Sequence, residues 1–311
     1  MERNQVPLYL AALALGAAVG LLFPAAAKPA ELTITPVLGL LLYVTFCGVP
    51  FVRIGAALRD GRFLATIFVV NFVLVPIVAW LLSRIVAHDQ ALLVGVLFVL
   101  LTPCVDYVIA FTGLAGGAKD RLLAATPLLM LAQIALLPLY LWLFVGAEFV
   151  RTIDLAPFAE AFGLLIIAPL VAAVLTQLVA AWTRWGGRIL RVTETAIVPL
   201  MMLTLAVVVA SQVAGVGERF GALLLTIPVY ILFAAVMVVV GRAASRVARL
   251  DVGRSRAIVF SGVTRNSLVV LPLVLALPAE FSLAPLAVVT QTLVELMVMV
   301  VCVRLVPRVV S

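Results

Sequence analysis

The sequence predicts an all-α membrane protein: ten transmembrane helices in an inverted five-plus-five repeat, with discontinuous helices 4 and 9 that cross. Three observations carry this expectation. The 311 residues are 66% hydrophobic and 11% charged, whereas a soluble domain has about 25% charged residues. The apolar residues gather into ten stretches, each long enough to span the ~30 Å hydrocarbon layer. Two of the stretches are broken by polar runs at corresponding places in the two halves, which marks the binding site of a secondary transporter.

The ten stretches are 6–25, 33–52, 63–83, 91–115, 122–146, 156–183, 193–212, 221–241, 256–277 and 284–306. Ala25-Ala26-Ala27 imitates a leader cleavage site, but the apolar run from Val6 to Phe23 outlasts the ~7–15 residues of a leader's apolar core, so it is expected to be the first span. Arginine and lysine set the orientation. Sixteen, counting Arg256 and Arg304 at the adjoining span ends, fall at the termini and in the 2–3, 4–5, 6–7 and 8–9 connections, against four in the other five connections. That asymmetry places both termini in the cytoplasm and the protein in the cytoplasmic membrane. It also accounts for the net charge of +7 and the pI of 9.9 without a nucleic-acid partner.

The halves, 1–150 and 151–311, match at an offset of 160. Thr66-Ile67 corresponds to Thr226-Ile227, Pro103 to Val263, Cys104 to Thr264 and Asp106 to Asn266. Five spans per half make the two repeats enter the membrane in opposite senses.

The first break reads Leu101-Thr102-Pro103-Cys104-Val105-Asp106-Tyr107 and the second Ser261-Gly262-Val263-Thr264-Arg265-Asn266-Ser267. Pro103 lacks an amide proton and stops a regular helix; Gly262 offers backbone freedom. Polar, unwound backbone survives at membrane depth only where protein encloses it. Asp106 and Arg265 each carry a charge that costs at least ~2.5–3.5 kcal/mol near the bilayer centre, so they are expected to pair. One reading of the pair is a static bridge that locks the crossing. The other turns Arg265 toward an anionic substrate while Asp106 takes up a proton.

Cys104 is either a small packing residue or a thiolate for a thiophilic metalloid. Glu295, beside Gln291 and Thr292, is with Asp106 the candidate for proton coupling, or else it bonds a neighbouring helix. Asn71, Gln133 and Gln291 are the remaining cavity candidates, while Gln177 and Gln212 read as interhelical contacts. Cys47, Cys104 and Cys302 lack metal-ligand spacing, His88 is the sole histidine, and no phosphate loop or nucleophile elbow occurs. No metal, cofactor or enzymatic activity is expected. A channel with the same broken helices stands as a remote alternative to a carrier.

Through Pro103-Cys104, Leu114-Ala115-Gly116-Gly117 and Arg265-Asn266-Ser267 the chain resembles the bile acid/sodium symporter superfamily, nearest its arsenite efflux branch. The resemblance implies a panel domain of helices 1, 2, 6 and 7 and a core domain of helices 3–5 and 8–10. It implies export of arsenite or antimonite by alternating access, with transport of a small organic anion as the alternative. In the arsenite branch a cysteine occupies the fourth-helix break, matched by Cys104. The helix-9 glutamate of that branch is replaced by Leu268. Sodium-coupled members carry Ser and Asn in helix 4 and Glu and Gln in helix 9; here Val108 and Ile109, then Ser261 and Arg265, stand there. Apolar side chains cannot coordinate sodium, and Arg265 can supply the positive charge itself, so sodium-independent transport is expected.

Overall fold

The structure, a computed structural model, describes residues 5–23, 25, 27–48, 60–105, 107–146, 163–213 and 220–311. Among these residues it is helical, with no strand beyond one isolated bridge. Among the described residues six helical stretches are long and apolar enough to cross a membrane: Ala27–Gly48, Gly61–Val86, Lys119–Val145, Arg184–Ser211, Thr226–Val247 and Ala279–Val309. The chain is a multi-pass membrane protein. It divides into two compact units, residues 1–48 with 154–222 and residues 49–153 with 223–311.

The first unit contains α1 (Gln5–Leu22), α2 (Ala27–Gly48), α8 (Ala168–Trp182) and α9 (Arg184–Gln212). α9 packs on both α1 and α2. Gly16 and Gly20, one turn apart on α1, lie against the backbone of Ala206 and Ala210 on α9, so closely that a Cβ at either glycine would overlap it. Small residues four apart are how helices approach in lipid, where tails compete for every larger apolar side chain. Gln177 on α8 donates to the Phe46 and Cys47 carbonyls at the end of α2, and Tyr43 and Thr176 share a 2.9 Å hydrogen bond. The sequence expectation began this last span at residue 193. Instead α9 starts at Arg184, because the Thr183 hydroxyl accepts from the Gly186 amide and caps it.

The second unit holds α3 (Gly61–Val69), which runs through a π-helical turn (Val70–Leu74) into α4 (Val75–Ser83). Then come α5 (Gln90–Leu100), α6 (Tyr107–Leu114), α7 (Lys119–Val145), α11 (Thr226–Val247), α12 (Val252–Val263), α13 (Ser267–Leu275) and α14 (Ala284–Val309). A short α10 (Phe220–Leu224) leads into α11. Every residue of α5 from Ala91 to Leu100 is buried, as is every residue of α12 from Ala257 to Val263. A helix apolar on all sides belongs in a protein interior. Gly95 lets α5 touch the backbone of Ala284 on α14.

Side chains fix one end of this unit. Asp60 caps α3 by accepting from the Phe63 amide and pairs with Arg254 (3.1 Å) and Arg121 (3.7 Å). Arg256 donates to Ala115, Pro307 and Val310 carbonyls, where α6 and α14 run out of backbone donors.

Candidate functional site

The fourth apolar stretch is interrupted between α5, which ends at Leu100, and α6, which begins at Tyr107, while the second interruption, expected over Ser261–Ser267, is confined to Thr264–Asn266. Ser261 and Gly262 remain helical because no proline removes a donor there. Gly262 instead permits close packing: a Cβ on it would press on Met237 and Val70 at 3.2 Å.

The two breaks cross as a short antiparallel bridge between Pro103 and Arg265. The Cys104 amide donates to the Thr264 carbonyl (3.3 Å) and the Asn266 amide to the Thr102 carbonyl (2.8 Å). The Arg265 amide donates to Glu295 Oε2 at 2.8 Å.

These bonds leave three carbonyls without their helical amides. In an unbroken helix each amide serves the carbonyl four residues back. Cys104, Arg265 and Asn266 would therefore serve Leu100, Ser261 and Gly262. All three amides are directed elsewhere, and all three deserted carbonyls accept from one guanidinium. Arg265 Nη1 donates to Leu100, and Nη2 to Ser261 and to Gly262. Nη2 also donates to Asn71 Oδ1 at 2.9 Å, and the Phe233 ring lies 5.6 Å from Cζ. Arg265 is fully buried, so these acceptors replace the water its charge would otherwise need.

Asn71 reaches this point from the π-helical turn of α3–α4. Its Nδ2 donates to the Ile67 carbonyl (3.0 Å) and to Ser261 Oγ (2.9 Å). Gln291 donates to Glu295, which is buried, and Thr292 bonds Ser267 Oγ. Asn266 Oδ1 caps α13 by accepting from the Val269 amide. Among the described residues its Nδ2 is buried with no acceptor, as is Gln291 Oε1 with no donor. Cys104 is fully buried at the crossing, and the Thr264 hydroxyl turns back to the Phe260 carbonyl.

The structure thus gathers Pro103, Cys104, Ser261, Gly262, Thr264, Arg265, Asn266 and Ser267 with Asn71, Gln291 and Glu295. Gln133 is not joined to this group: among the described residues both its amide atoms are buried without hydrogen-bond partners. Asp106, and with it the expected Asp106–Arg265 pair, lies outside the described residues, and of Tyr107 only its place at the start of α6 is described. Phe233 and the Leu100 carbonyl went unforeseen, since nothing in a sequence marks a backbone oxygen as deserted. Among the described residues no group of three or more His, Cys, Asp or Glu could hold a metal ion.

The model of the sodium bile acid symporter family matches residues 35–222. That stretch contains the first break and ends before the second. No curated protein matches the sequence.

Proposed function

Because the chain belongs to the sodium bile acid symporter family, we propose that it is a secondary transporter working by alternating access without sodium, the Arg265 guanidinium standing where a bound cation would. One observation carries this reading: three carbonyl oxygens deserted by the two breaks, together with Asn71 Oδ1, all accept from Arg265. Carbonyls at helix C-termini carry partial negative charge and favour a cation. A guanidinium on the chain meets that demand but cannot be released, so it cannot couple an ion gradient to transport.

The offset of 160 also supports an inverted repeat. It pairs Cys104 with Thr264, and the Cys104 amide donates to the Thr264 carbonyl in one of the two backbone bonds across the crossing. A residue beside a two-fold axis faces its own counterpart.

The substrate reading supported best is a small anion. Asn266 Nδ2 is a buried donor lacking an acceptor among the described residues, at the N-terminus of α13, where the helix dipole favours negative charge. Arsenite or antimonite is the second reading, favoured by Cys104 at the crossing.

Thermal unfolding of the purified protein with small carboxylates, oxyanions, arsenite and antimonite, each in sodium and in choline salts at equal ionic strength, tests both. Stabilisation by a carboxylate that Asn266→Ala removes and Cys104→Ser keeps is the expected result. The reverse pattern selects the metalloid. Stabilisation by sodium itself would overturn the fixed-cation reading, whereas Arg265→Gln should create such a response.

A further inference from the structure

α9 opens with two stripes one residue apart. Arg184, Arg188 and Arg191 recur at i, i+4 and i+7, and so do Trp185, Ile189 and Val192. All six are exposed, Trp185 at 74% and Val192 at 65%, and Trp182 at the end of α8 is exposed at 88%. Successive residues turn by about 100° around a helix, so the basic and apolar stripes lie side by side on one outer face. Read as a loop, this segment shows only scattered charge; its helical phase reveals the stripes.

The corner is tightly built. The Thr183 hydroxyl accepts from the Gly186 amide at 3.1 Å and donates to the Val179 carbonyl at 2.9 Å. Gly186 lies so close to the Ala180 backbone that a Cβ there would overlap it. The Arg188 guanidinium sits 5.0 Å from the Trp185 ring centroid, which holds cation and apolar stripe together. The nearest acidic residue on α9 is Glu194, beyond all three arginines.

Exposed tryptophan beside clustered arginine at the end of an apolar span suits neither bulk water nor the hydrocarbon core; it suits the headgroup boundary. We propose that the α8–α9 corner binds anionic phospholipid, the three arginines taking the headgroup phosphate while Trp182 and Trp185 seat in the glycerol layer. Attraction to an anionic surface enriches such lipid by about fivefold per engaged arginine.

The test uses the full chain with Trp80→Phe and Trp142→Phe, so that Trp182 and Trp185 report alone. It is reconstituted in phosphatidylcholine vesicles containing brominated phosphatidylglycerol or, separately, brominated phosphatidylcholine at equal mole fraction. The anionic quencher is expected to quench more strongly. The preference should fall in each single Arg→Gln variant at 184, 188 and 191 and vanish in the triple variant, so the single variants decide if the triple one fails to insert. Soluble glycerol phosphate should not compete. Equal quenching by the two lipids, a preference that survives all the substitutions, or its loss to soluble glycerol phosphate would each overturn the proposal.

Discussion

The Arg265 guanidinium donates to the carbonyl of Leu100 at 3.4 Å, joining the tip of one interrupted helix to a residue inside the break of the other. The Cys104 amide that Leu100 would hold in a continuous helix bonds Thr264 instead. Breaking two helices at one point frees donors and acceptors together. The Cys104 and Asn266 amides find carbonyls across the crossing and the Arg265 amide finds Glu295, which leaves the Leu100, Ser261 and Gly262 carbonyls without the amides a continuous helix would give them. The Arg265 guanidinium donates to all three.

Arg265→Ala should therefore destabilise the protein well beyond the loss of one side chain. It strips donors from three buried carbonyls and from Asn71, and a buried polar atom left unsatisfied costs ~1–3 kcal/mol. Neighbouring losses do not add fully, so a total of about 3–5 kcal/mol is expected. For a chain of this size that lowers Tm by roughly 6–15 °C. Arg265→Lys should fall between, since one ammonium cannot fork to acceptors on two helices. Melting of the alanine variant within about 2 °C of wild type would show that water fills the site, contrary to this account.

Asn71 and Ser261 should behave as one unit. Asn71 Nδ2 bonds Ser261 Oγ while Asn71 Oδ1 and the Ser261 carbonyl both hold Arg265. A double-mutant cycle of Asn71→Ala and Ser261→Ala should give a coupling of about 0.5–3 kcal/mol. Additivity within error would mean that the π-helical turn merely packs there.

Much of this was legible in the sequence, and the reasons are specific. Pro103 announced its break because its missing amide proton acts wherever it stands. Asn266 and Arg265 announced theirs because polar groups in an apolar run need enclosure. The extent of the second break was not legible: Ser261 and Gly262 stay helical, and only the cap made by Asn266 Oδ1 on Val269 shows where α13 resumes. The start of α9 was likewise hidden. Arg184, Arg188 and Arg191 resemble a basic loop until the Thr183 cap supplies a phase. The role of Asn71 was only half visible, because a sequence shows no π-helical turn.

Asp251 gives a pH dependence with a defined sign. It caps α12, and the hydrogen bond from the Arg254 amide, aided by the Arg254 guanidinium, holds its carboxyl below the ordinary value. A carboxyl lowered on folding adds stability above its unfolded value, about pH 3.9, and loses it as pH falls through the folded value. Acid unfolding should therefore steepen below about pH 4, and Asp251→Asn should remove part of that slope while keeping the cap. The exposed position of the side chain, at 60%, keeps the effect small. An unchanged slope in the variant would assign acid sensitivity elsewhere.

The seam between α1 and α9 tests the first unit separately from the crossing. Gly16 and Gly20 meet the backbone of Ala206 and Ala210 with no room for a Cβ. In lipid no hydrophobic force restores a seam once it is forced apart, because tails solvate the exposed faces as well as the partner helix does. Gly16→Leu should therefore separate the two helices and destabilise the unit, with overpacking alone costing ~1–3 kcal/mol. A cysteine pair at Leu13 and Leu205, both buried, would report the seam by their crosslinking yield, which should drop when Gly16→Leu is added. Gly61, with open space around its missing Cβ, is the control: Gly61→Ala should leave the yield unchanged. Equal yields in all three backgrounds would show that the glycine contact does not hold α1 to α9.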